Sequence, residues 1–161
     1  TGCRRTWIKL MINANRELKM RRSIEAKLCL HGALVMFVAF FSGLMIGLVA
    51  LGQLPGEVDN WKLAHMEALV NSILLLAVAG FIGKLDISEG RARVVSVCLV
   101  IMAWCNTVFG LMRGFTGAMG YQFDDSLVNN ITTAAGMLGV PLAVIAFSLI
   151  LLAAMKTGRP G

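Results

Sequence analysis

Four long apolar runs, separated by short polar stretches, organise this chain. The runs at Leu28–Leu54, Trp61–Ile82, Ala92–Met112 and Ile131–Ala154 each reach the roughly 20 residues a helix needs to cross a bilayer. Pro55-Gly56-Glu57 marks a turn between the first two. Gly83–Arg93 is polar, and Arg113–Asn130 is glycine-rich and carries Tyr121, Phe123, Asp124 and Asp125. Ahead of the first run, Trp7, Met11, Ala14 and Leu18 recur at i, i+4, i+7 and i+11 among basic residues. That stripe fits an amphipathic helix on the membrane surface, and a solvated arm is the alternative. The pattern predicts an all-α polytopic membrane protein with four transmembrane helices in a bundle. Its domains are a basic extension over 1–27 and a single transmembrane domain over 28–161. No internal repeat is visible.

Composition sharpens this picture. Hydrophobic residues make up 57% of the 161 positions and charged residues 15%. A soluble domain carries about 25% charged residues, so a water-soluble globular protein is excluded. The net charge of +6 is not a nucleic-acid signal, because no base-recognition motif accompanies it. Thirteen of the fifteen Lys and Arg residues fall in the N-terminal segment, the second loop and the C-terminal tail. The positive-inside rule then predicts N- and C-termini in the cytoplasm, with the basic N-terminal cluster against anionic lipid. No cleavable signal peptide is expected, since the first apolar run begins late and is long enough to span. Cys3, Cys29, Cys98 and Cys105 lack CxxC spacing, and those in or beside the runs read as small packing residues.

Ionisable and polar groups at membrane depth are costly and mark candidate sites. The second run holds His65, Glu67, Asn71 and Ser72, and the third holds Trp104, Asn106 and Thr107. Asn129, Asn130, Thr132 and Thr133 open the fourth, close enough to the interface to need no special role. His65 suits an iron or zinc ligand. The residues alone favour a plainer reading, a histidine bonding a neighbouring helix or water, and for His31 more strongly so. There is no HExxH, and His65 and Glu67 lie about 200° apart around a helix. Ser–His–Asp, phosphate-loop and dinucleotide signatures are missing too. Gly43-x3-Gly47 and Gly110-x3-Gly114 allow close helix packing without naming a partner.

Three segments together resemble the styrene oxide isomerase family. His65-Met-Glu-Ala-Leu-Val-Asn71 is similar to that family's His-x5-Asn segment. Trp104-Cys-Asn106-Thr-Val-Phe109 is similar to its Trp-x-Asn-x-x-Phe segment, and Glu25-Ala-Lys27-Leu-Cys-Leu-His31-Gly32 to its N-terminal stretch. The resemblance covers roughly Glu25 to the end. It implies a homotrimer binding haem b between subunits, with His65 as axial ligand and Trp104 and Asn106 at the cofactor. It also implies that Asn71 positions a small apolar epoxide while ferric iron acts as a Lewis acid. Ring opening and a 1,2-hydride shift would then give an aldehyde or ketone. Six helical residues leave His65 and Asn71 about 120° apart in azimuth and about 9 Å apart along the axis, which suggests that neighbouring subunits supply them. A bacterial plasma membrane is the expected location.

One position departs from the family. Its pocket tyrosine falls in register with Gly110, and Tyr121, the sole tyrosine, lies in the following loop. The extension before Glu25 is also longer than the family pattern, and anchors the chain or docks an epoxide-producing monooxygenase. Two other classes stay open: a non-enzymatic haem protein for electron transfer or sensing, and a cofactor-free structural or transport subunit. Pro141 is the only proline within a run, which argues against the broken helices of transporters.

Overall fold

The computed structural model describes residues 2–158, and within residues 2–17 only the side chains of Met11 and Asn15. Four helices account for nearly all of it: α1 (Gly2–Ala50), α2 (Val58–Phe81), α3 (Glu89–Thr116) and α4 (Leu127–Thr157). A single 3-10 turn, Ile82–Lys84, follows α2. All four helices are long and apolar enough to cross a membrane.

α1 differs from expectation at both ends. It stops at Ala50 rather than Leu54, because Gly52 takes a positive φ of 69° that turns the chain ahead of Pro55. At the other end no break falls near Leu28, so the basic extension is helical and continuous with the first span. The packed domain also begins earlier than Leu28, since Ile24 is buried in one core cluster with Leu75, Ile82 and Ile87. Met11 and Leu18 are exposed, while the Trp7 and Ala14 side chains of the same stripe lie outside the described residues.

Close helix contacts are made by small residues. A Cβ on Gly110 would stand 2.8 Å from the Ala64 Cα, and one on Gly114 would stand 2.9 Å from the Trp61 ring. The second GxxxG motif is therefore the crossing point of α2 and α3. α1 packs along α2, where Ser72 Oγ donates to the Gly32 carbonyl at 2.7 Å. α4 sits at the periphery and packs mainly on α3. Its buried Thr132, Gly139, Ala146 and Ala153 fall seven residues apart, a narrow coiled-coil-like seam. Pro141 interrupts none of this and lies inside continuous helix.

Antiparallel connection brings one set of helix ends together. Arg21 of α1 donates to the Gly83 carbonyl, and Lys156 of α4 pairs with Asp86 in the α2–α3 connection. The start of the packed part of α1 and the end of α4 thus share one end of the molecule. The opposite end carries the loop between α3 and α4, which is tightly bonded. Gly117 closes α3 in the left-handed conformation. Asn129 accepts from Gly120 N–H and donates to the Gln122 carbonyl, while Asn130 bonds Asp124 through both N–H and carbonyl. Asn129 and Asn130 have a definite role after all, as the anchors of this loop.

Candidate functional site

His65 lies seven residues into α2, about 10 Å along its axis from Val58. Its ring turns toward α1, where Nδ1 sits 2.8 Å from the Ala39 carbonyl oxygen. A carbonyl only accepts, so Nδ1 carries the proton and Nε2 is left as the ring's lone-pair nitrogen. Gly43, one turn beyond Ala39, makes room for the ring: a Cβ there would stand 3.3 Å from Nδ1. Among the described residues Nε2 has no hydrogen-bond partner. Histidines that bind metals are commonly oriented in this way, with the second nitrogen donating to a backbone carbonyl. The residues at this position therefore fit a group that takes one imidazole ligand.

Asn71 faces the other way, toward α3. It is 4% exposed. Its Nδ2 donates to the Glu67 carbonyl at 2.7 Å, and Asn106 Nδ2 donates to its Oδ1 at 3.4 Å. The first bond fixes the amide, because only Nδ2 can donate to a carbonyl. The Glu67 carboxylate accepts from the same Nδ2 at 3.4 Å, and among the described residues it has no cationic partner. Asn106 in turn lies against α4, where a side chain on Gly139 would collide with its Oδ1. Glu67, Asn71, Asn106 and the Gly139 backbone thus form one polar cluster spanning three helices.

Trp104 belongs to neither group. It turns toward α1 and donates from Nε1 to His31 Nδ1 at 3.1 Å, with the rings nearly perpendicular. His31 therefore has a defined partner, and its ring orientation is set by the indole.

Sequence reasoning named His65, Asn71, Asn106 and Trp104, and the fold brings together only Asn71 and Asn106. It counted Glu67 among the polar groups at membrane depth but gave it no role. The available signal was its i, i+4 spacing to Asn71, which puts both side chains on one helix face. Gly110 has no room for a tyrosine while α2 and α3 keep this crossing. Tyr121 is exposed, its ring over the Arg113 guanidinium at 5.1 Å, while Arg113 also lies 5.6 Å from the Phe109 ring. That clasp holds the α3–α4 loop. Cys29, Cys98 and Cys105 are free thiols. Among the described residues no three His, Cys, Asp or Glu side chains converge on a common point; haem ligation needs only one.

These features define a four-span helical membrane protein with one histidine oriented through Nδ1 by a backbone carbonyl and a separate amide–carboxylate cluster. Residues 24–155 match the styrene oxide isomerase family, and the chain belongs to it. It is similar to the styrene-oxide isomerase of Pseudomonas fluorescens, at 22% identity over 116 residues that cover 65% of this chain and 69% of that one. Membership supports an epoxide isomerase integral to a membrane.

Proposed function

We propose that this protein holds haem b through His65 and isomerises a small apolar epoxide to the corresponding aldehyde or ketone. The observation that carries the reading is the His65 imidazole, oriented by Ala39, accommodated by Gly43 and open at Nε2. A single strong ligand suits haem with an open coordination position, whereas electron transfer usually employs two. Bound there, ferric haem would supply a Lewis acid for the epoxide oxygen.

The chain's own side chains account for the remaining charge development. Heterolysis of the C–O bond leaves negative charge on oxygen and positive charge on carbon. A hydride then moves from the neighbouring carbon and the carbonyl forms, with no net gain of protons or electrons. Asn106 retains a second amide N–H beyond its bond to Asn71, and Asn71 can release its long bond to Glu67 Oε2 to donate to an incoming oxygen. The uncompensated Glu67 carboxylate offsets the positive charge, which counts for most where water is scarce.

The same reading places two protomers at each site. His65 and Asn71 point to different sides of α2, toward α1 and α3, so a substrate touching both functions lies between neighbours of a homotrimer. Both termini lie in the cytoplasm of a bacterium, and the substrate comes from an epoxide-forming monooxygenase.

The decisive measurement is the visible spectrum of the detergent-purified protein, expressed with added haem, beside its His65→Ala variant. A Soret band in the wild type that is lost in the variant is expected. A colourless wild type would overturn the haem reading.

One observation favours a structural reading of part of the site: Asn71 is buried and bonds inside its own protomer at both amide atoms. Were it only an interhelical clasp, Asn71→Ala would lower thermal stability and leave turnover intact.

A further inference from the structure

We infer that the end of the molecule where α1, the α2–α3 connection and α4 converge holds the headgroup of an anionic phospholipid. A cavity of about 510 Å³ opens there, bordered by Arg21 and Lys156 and floored by Ile24, Ile82 and Ile87. Those isoleucines are buried core residues, so the floor is apolar and fixed by packing.

Charge around the cavity is unequal. Its two carboxylates are already paired, Asp86 with Lys156 at 2.7 Å and Glu89 with Arg93 at 3.2 Å. Among the described residues Arg21 has only neutral partners: Nη1 donates to the Gly83 carbonyl at 2.8 Å and reaches the Leu85 carbonyl at 3.5 Å. Carbonyls hold the guanidinium in place without cancelling its charge. Its remaining N–H groups keep the planar fork that suits phosphate oxygens. Lys84 and Arg91, next in the chain to the cavity-lining Gly83 and Gly90, are exposed and add to the attraction.

Depth selects the ligand. The first membrane-length helix begins at Leu18, the second ends at Lys84, the third begins at Glu89 and the fourth ends at Thr157, so the cavity lies among the ends of the spans, where lipid headgroups meet a membrane protein. A phospholipid there sets its phosphate on Arg21 and its glycerol and upper acyl carbons on the isoleucine floor. Free phosphate gains nothing from that floor, and a zwitterionic lipid gains less from the charge.

The test uses the full chain purified in detergent. Lipid retention is read by native mass spectrometry and stability by thermal unfolding, with phosphatidylglycerol, phosphatidylcholine or inorganic phosphate added. Phosphatidylglycerol is expected to be retained and to raise Tm, the other two to do neither. Arg21→Gln should cut retention about fivefold, the worth of one basic residue at a lipid surface. Because Arg21 also ties α1 to Gly83, a second variant guards against misfolding. Gly90 borders the cavity and has open space where a side chain would go. Gly90→Leu should reduce retention while leaving Tm without lipid unchanged. Equal retention of the two lipids, equal stabilisation by phosphate, or full retention in Gly90→Leu would overturn the assignment.

Discussion

Glu67 is the residue whose chemistry is least explained by folding alone. A carboxylate two turns into a membrane helix, without a cation among the described residues, is costly unless it serves a reaction or a ligand. Glu67→Gln keeps the shape and an acceptor for Asn71 while removing the charge, so it separates electrostatics from packing. If the carboxylate offsets positive charge at the reacting carbon, kcat should fall on the order of tenfold, about 1.4 kcal/mol of barrier. KM and Tm should barely move. Rates across para-substituted styrene oxides should also depend more steeply on electron donation, because the ring must then carry charge the protein no longer balances. Unchanged kcat and slope would assign Glu67 to the Asn71 clasp alone.

At the scale of elements, glycine positions decide how closely helices approach, and here the sequence was only half legible. Spans were readable because twenty-odd apolar residues admit few other structures in a bilayer, where backbone groups must bond within the helix. The glycine motifs were readable as packing devices, but their partners were not, since a partner is a property of two helices. Gly110 and Gly114 prove to face Ala64 and Trp61. The continuity of α1 was hidden for a related reason: a basic helical stripe looks the same whether it lies on a membrane or continues a span. Likewise, spacing separated His65 from Asn71 in azimuth but could not pair Asn71 with Asn106 on another helix. Two substitutions probe these contacts. Gly110→Ala should lower stability in detergent by about 1–3 kcal/mol, the usual cost of overpacking, read as a lower Tm. Gly139→Ala should push the Asn106 amide away from Asn71 and reduce turnover with a smaller loss of Tm, because α4 packs through a seam of small residues. A larger Tm loss for Gly139→Ala than for Gly110→Ala would show that the α3–α4 seam, not the α2–α3 crossing, limits stability.

For the whole molecule, the central fact is that α2 presents its two functions in different directions, about 120° apart around its axis. His65 faces α1 and Asn71 faces α3, while α4 lies mainly on α3 and leaves the far flank of α2 without a helix of its own. Under the proposed homotrimer, His65 of one subunit and the amide–carboxylate cluster of the next would complete one site together. That geometry makes a quantitative prediction for mixed assemblies. Co-expressed His65→Ala and Asn71→Ala chains, each inactive alone, should assemble at random. A composite site is intact when its histidine comes from the Asn71→Ala chain and its asparagine from the His65→Ala chain. Each condition holds about half the time, so about a quarter of the sites, and of wild-type activity, should return. If both residues served one protomer, no mixed assembly would contain an intact site and activity would stay at the level of the separate variants. Recovery of about a quarter, with Soret absorbance near half of wild type, would tie the composite site to the haem ligand in a single experiment.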